Sequence, residues 1–156
     1  MRVMYVLAAC AWPLALGAQG LRGDLFPSDA ACYLRYYDDA HMAAHPQQQV
    51  VQMAIGPDAA QTTVAALALR LQLVARGSAD FYTGVAYCTE NGAALECGVE
   101  GDGGSFVLDR AGARLQLTVG RGGVYVEGAS GVLEISGTTG DDRVFLLPAV
   151  PADSCP

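Results

Sequence analysis

Leu67, Leu69, Leu71 and Leu73 alternate with Ala68, Arg70 and Gln72, and this spacing of two constrains the fold more than any other feature of the chain. Successive side chains of a strand point to opposite faces, so the leucines make one continuous apolar face in a strand. Wound as a helix, they would fall on two nearly opposite sides. The surrounding segment, Thr63 to Arg76, is rich in Ala, Leu, Arg and Gln, which individually favour helix. A face that can be buried as a unit outweighs those weak propensities, so a strand is expected.

The same alternation continues along the chain. Val51, Met53 and Ile55 alternate with Gln52 and Ala54 ahead of a Gly56-Pro57-Asp58 turn. Phe81 to Cys88, Leu95 to Glu100, Phe106 with Leu108, and Leu115, Leu117 and Val119 follow. Val124 with Val126, Leu133 with Ile135, and Val144 to Leu147 complete the series, before a proline-punctuated tail. Turns are expected at Gly101 to Gly104, Ala111-Gly112, Gly120 to Gly123, Gly128 to Gly131 and Gly137 to Asp142. Near the start of the domain, Asp38 or Asp39 can cap a short helix through Ala44, closed by His45-Pro46 because the residue before proline avoids helical geometry. The expectation is an all-β domain, an antiparallel meander of about eight or nine strands closing as a small barrel or sandwich, with one short N-terminal helix.

Residues 1–18 have the layout of a secretory signal peptide: Arg2, an apolar run from Val3 to Leu16, then Gly17 and Ala18. The run is shorter than the roughly twenty residues of a membrane-spanning helix. A second reading takes Leu7-Ala8-Ala9-Cys10 as a lipoprotein box with a lipid on Cys10, but it leaves only Val3 to Val6 as the apolar stretch. Residues 19–31, with Pro27-Ser28-Asp29 as a turn, are expected to form a loose leader, and residues 32–156 a single disulfide-tied domain. Export implies an oxidising compartment, periplasmic or secreted.

Four cysteines remain beyond the leader in either reading: Cys32, Cys88, Cys97 and Cys155. Cys88 and Cys97 flank Asn91-Gly92, a hairpin signal, and a loop from Asn91 to Ala94 sets them opposite each other. The expected pairs are therefore Cys88 with Cys97 and Cys32 with Cys155. The chain has no Cys-x-x-Cys, and the spacing does not suit a zinc site.

The chain contains no lysine, which suits a GC-rich bacterial genome. Without Arg2, eight arginines face sixteen acidic residues, a balance that argues against a nucleic-acid partner. His41 and His45, four apart and so on one helical face, are the candidates for a metal, with Asp38 or Met42 assisting. They lack the glutamate of a zincin motif, and His45 can instead cap carbonyls at the helix end. Asp102, Asp141 and Asp142 lie in glycine-rich turns with too few carboxylates for calcium and are expected to be solvated. Arg121 in Gly120 to Gly123 sits between two strands, where a phosphate loop needs a following helix. No serine occupies a Gly-x-Ser-x-Gly elbow. Glu90, Glu96, Glu100, Glu127 and Glu134 are the carboxylates available for acid–base work, on strands and outward-facing. Tyr33, Tyr36 and Tyr37 form the densest aromatic cluster, a binding surface or the packing over an open barrel end.

Val85-Ala86-Tyr87-Cys88 followed by Asn91-Gly92, and later Arg121-Gly122-Gly123-Val124-Tyr125, resemble stretches of the small periplasmic inhibitors of C-type lysozymes, which are disulfide-tied β-barrels. That family carries Ser-Gly-x-x-Tyr at its inhibitory loop; here Arg121 stands in place of the serine. The resemblance implies an inhibitor with Tyr125 in the corresponding loop.

These readings lead to a non-enzymatic exported binding module, with no cofactor and no catalytic set, whose partner is a protein or small ligand of the periplasm. The alternatives are a hydrolase inhibitor and a metal-binding protein using His41 and His45. Non-reducing peptide mapping of the exported protein is expected to recover Cys88 joined to Cys97 and Cys32 joined to Cys155; a Cys32 to Cys88 peptide would contradict the hairpin reading.

Overall fold

The structure is a computed structural model, and it describes residues 21–155. The expected signal peptide, residues 1–18, and Cys10 lie outside the described residues. A short helix, α1 (Leu21–Leu25), precedes strand β1 (Cys32–Tyr36) and helix α2 (Asp39–Ala44). Then come β2 (Val50–Pro57), β3 (Leu67–Ala75), β4 (Phe81–Asn91), β5 (Ala94–Val99), β6 (Gly104–Ala111), β7 (Arg114–Gly128), β8 (Gly131–Ile135) and β9 (Val144–Val150). All pairings are antiparallel. Strands β1 to β7 pair in sequence order, β7 pairs with β9, and β9 returns to β1, which closes an eight-stranded barrel. Of the two architectures left open by the alternation, the chain takes the barrel. Strand β8 is extra: it pairs only with the second half of β7.

The leucine alternation holds as expected. Leu67, Leu69, Leu71 and Leu73 all point into the barrel, where they meet Phe106, Leu108, Leu115, Leu117 and Phe145 in one contiguous core. Eight strands enclose just enough room for such side chains to fill. The β4–β5 hairpin keeps the expected register but turns more tightly, with Asn91 paired to Ala94 and only Gly92-Ala93 between them. Gly92 takes φ +62° and Ala93 does not, the pattern of a type II′ turn. Cys88 is paired directly with Cys97 across this hairpin and bonded to it; Cys32 on β1 is bonded to Cys155 in the tail.

Besides the expected Gly56-Pro57-Asp58 turn, whose first two residues still belong to β2 and pair with Arg70 and Leu69, three local expectations change. In β2, the register slips by one residue between Val50 and Gln52, so Val50 is fully buried and Val51 is not, while Met53 and Ile55 remain inside. An extra residue in one strand inverts the alternation on one side of the bulge. The leader, expected to be loose, is anchored to the barrel at Leu25 and Phe26. Leu25 and Phe26 are 1% and 5% exposed and enter the core; Phe26 packs edge-on against Tyr33 at 5.5 Å, and the Tyr33 hydroxyl donates to the Leu25 carbonyl.

Third, Gly120 to Gly123 is not a turn but the middle of the fifteen-residue strand β7. The first half of β7 pairs with β6 and β9, and the second half with β8 and the start of β4. At the change-over, the register against β6 jumps from Phe106–Val119 to Gly104–Val124. The backbones are crowded here. A Cβ on Gly104 would lie 2.1 Å from the Gly123 carbonyl oxygen, and one on Gly137 would lie 1.8 Å from that of Gly120. Gly104 and Gly123 also have φ of +81° and +83°. Glycine bends the strand here because no side chain fits between the backbones.

Gly104→Ala is therefore expected to cost about 2–4 kcal/mol in urea unfolding, whereas Gly98→Ala, at a glycine with open space and ordinary φ, stays within about 0.5 kcal/mol. Equal midpoints for the two variants would contradict the crossing as a structural constraint.

Candidate functional site

Helix α2 is capped by Asp38, whose carboxylate accepts from the His41 amide at 2.8 Å. Its histidines are held by local partners. Gln48 donates its amide nitrogen to the Val50 carbonyl, so its oxygen faces His41, and His41 Nε2 is the donor in their 2.9 Å contact. His45 Nδ1 donates to the His41 carbonyl at 2.9 Å, the capping role that its position before Pro46 suggested. The two rings stack with centroids 4.1 Å apart. Met42 is buried, and among the described residues no three His, Cys, Asp or Glu side chains gather as a ligand set.

Arg76, which the sequence did not single out, ties this helix to the barrel. Its guanidinium donates to the carbonyls of Met42, His45 and Gln48. Asp142, named in the sequence as a turn residue, lies in a different setting. It was expected in a solvated turn, yet it is 3% exposed and accepts from the amides of Gln49 at 2.5 Å and Val50 at 3.3 Å. The neighbouring Asp141 accepts from the Gln47 amide. The turn is thus pinned to the connection between α2 and β2. Both acids look alike in sequence, and only the path of that connection distinguishes the buried one.

Burial holds the Asp142 carboxyl above the ordinary carboxylate value, despite its two backbone hydrogen bonds and the opposing charge of Arg76. The three tyrosines separate. Tyr33 is buried against Phe26, Tyr36 is exposed, and Tyr37 is half-buried between Arg35, His41 and Phe145. Burial pushes the Tyr37 phenol up to about 12, against the lowering effect of Arg35.

Three of the scattered carboxylates line a common space elsewhere. Strand β4 pairs with β7 at Tyr82 and Thr83, then with β5 from Ala86 onward. Gly84 and Val85 lie where it changes partners, and the sheet splits there into an open notch of about 640 Å³. Val85, Val99 and Val126 contribute apolar surface to it, and Glu100, Asp102, Glu127 and Tyr125 line it as well. The β5–β6 turn is held at the split by the Glu100 amide donating to the Val85 carbonyl and the Tyr125 amide donating to the Gly103 carbonyl. Tyr125 is half-buried and donates to Glu134 at 3.3 Å. No arginine lines the notch. Glu90 and Glu96 are not part of it: Glu90 accepts from the Arg22 amide and Glu96 from the Asn91 side chain. Arg121, at the bend of β7, is exposed. Tyr125 therefore belongs to a strand rather than to a loop.

No protein-family model, no curated protein and no solved structure matches this chain.

The raised pKa of Asp142 has a definite sign in stability. Its contribution is full below the unfolded carboxylate value of 3.8 and declines as pH rises from there through the higher folded value, because the unfolded chain ionises first. Asp142→Asn is expected to remove that part of the decline in urea midpoints measured between about pH 3 and pH 7. A variant whose pH profile parallels the parent's would assign the decline to another group.

Proposed function

We propose that this protein is a non-enzymatic binding barrel of an exported, periplasmic kind, and that the notch between β4 and β7 is its binding surface for a basic group on a partner protein. The observation that carries this reading is that Glu100, Asp102 and Glu127 line one open notch with Tyr125 and no arginine. The barrel interior is filled by its own side chains, so recognition takes place on the outside. Carboxylates attract a guanidinium or ammonium group, and a tyrosine ring can accept it against its face. The acidic balance of the whole chain, net −7, works in the same direction at longer range.

The thiols and imidazoles among the described residues have structural partners. Four cysteines are in disulfides, and His41 and His45 are engaged at the end of α2. Two disulfides suit an oxidising compartment, and among the described residues no helix is long and apolar enough to cross a membrane.

The narrower reading, a periplasmic inhibitor of a hydrolase such as a C-type lysozyme, is favoured by one observation: Tyr125, the tyrosine of the stretch resembling that inhibitor family, lines the same notch.

Titration with a capped diarginine peptide is expected to shift the amide resonances of Gly84, Val85, Gly103 and Tyr125, with a response that weakens as salt is added. A capped diglutamate peptide should leave them in place. Glu127→Gln and Asp102→Asn should each weaken the diarginine response about two- to five-fold. Equal responses to the two peptides would refute the notch as a basic-group site, and unchanged lysozyme activity at excess protein would remove the inhibitor reading.

A further inference from the structure

A second surface feature, on the outer face of β4, β5 and β6, has a different chemistry. Tyr87, Gly98 and Ser105 lie side by side across the three strands, and Thr89, Glu96 and Val107 form the next row. Together they line a depression of about 430 Å³, within the size range of small-molecule sites. It exists because Gly98 has no side chain: a Cβ there would meet nothing within 4 Å. An aromatic ring paired with a glycine across a sheet commonly folds over it. The open space above Gly98 shows that the Tyr87 ring does not, although the two are direct partners.

A hydrogen-bond chain anchors the Tyr87 hydroxyl. It donates to Gln61 Oε1 at 2.7 Å, on the connection between β2 and β3. Gln61 Nε2 is turned toward Asp58 Oδ2 at 3.4 Å, and Arg70 donates to that same carboxylate oxygen at 3.0 Å. The Asp58 carboxylate also accepts from the Ala60 amide, and its backbone carbonyl accepts from the amides of Gln61 and Thr62. On the other side, Glu96 is steadied by the Asn91 side chain at 2.6 Å. Tyr87 is 37% exposed, beside a bare glycine and a rim of two hydroxyls and one carboxylate.

We propose that this depression binds a neutral pyranose unit of a glycan, with the ring of Tyr87 as the stacking platform, Gly98 as the floor, and Thr89, Glu96 and Ser105 as partners for the sugar hydroxyls. A pyranose presents an apolar face of C–H groups and an equatorial belt of hydroxyls. The first suits an aromatic ring and the second suits this rim. A single carboxylate, already engaged by Asn91, gives the depression little preference for a cation, in contrast to the notch. Gln61 is a positioning residue that acts through the tyrosine.

The test is amide chemical-shift titration of the folded protein with chitotriose and with maltotriose, alongside phenylalanine amide as a non-sugar comparator. Saturable shifts are expected at Tyr87, Gly98 and Ser105 with at least one sugar, in the millimolar range for a single stacked ring. Gly98→Val fills the depression at a position with open space and ordinary φ, and should abolish the shifts while the rest of the spectrum stays native. Gln61→Ala frees the ring to cover Gly98 and should weaken binding roughly two- to ten-fold. The proposal is overturned by the absence of saturable shifts with both sugars, by undiminished sugar binding in Gly98→Val, or by a response to phenylalanine amide alone.

Discussion

Closure of this barrel depends on a backbone crossing that tolerates no side chains. Where β7 leaves β6 and continues alongside β8 and β4, Gly104, Gly120, Gly123 and Gly137 bring main chains into direct contact. The bend lets one fifteen-residue strand serve two sets of neighbours, β6 and β9 with its first half and β4 and β8 with its second. With β7 bent, β9 can pair with its first half and return to β1, which closes the barrel. The side chains of β3, β6, β7 and β9 then fill the interior.

The notch follows from the same geometry. Because β7 reaches β4 only at Tyr82 and Thr83, β4 must change partners at Gly84 and Val85, and the sheet opens there. Carboxylates from β7 and from the β5–β6 region thereby come to line one space although they are far apart in sequence. The opposite end of the logic is seen at Asp142, whose carboxylate is used to hold loops together. A carboxylate enclosed by backbone amides serves the fold, whereas those left in an open groove are free to meet a partner.

Much of the architecture was legible in the sequence. The spacing of Leu67 to Leu73 identified β3 against its helical composition, and Asn91-Gly92 set the register that joins Cys88 to Cys97. Asp38 and His45 marked both ends of α2. Errors arose where local patterns have two meanings. Glycines at 120, 122 and 123 signal a turn as well as a bend within a strand, and a one-residue bulge in β2 exchanges Val51 for Val50 in the core. Leu25 and Phe26 were passed over because two apolar residues beside a proline turn show no periodicity. The candidate site was barely legible: its carboxylates were named singly, and nothing in their spacing groups them.

The sequence by itself determined the strand content, the turn chemistry, the cysteine pairing and the acidic character of this protein. Each of these follows from interactions between residues near in the chain or from composition, except that Cys32 and Cys155 are paired as the two cysteines the hairpin leaves over. Tertiary structure alone decided that the sheet closes as a barrel, that β7 bends rather than turns, that Asp142 is buried, and that Glu100, Asp102, Glu127 and Tyr125 share a notch. Those outcomes depend on which strand edges meet after closure, and a pattern of alternation carries no information about that.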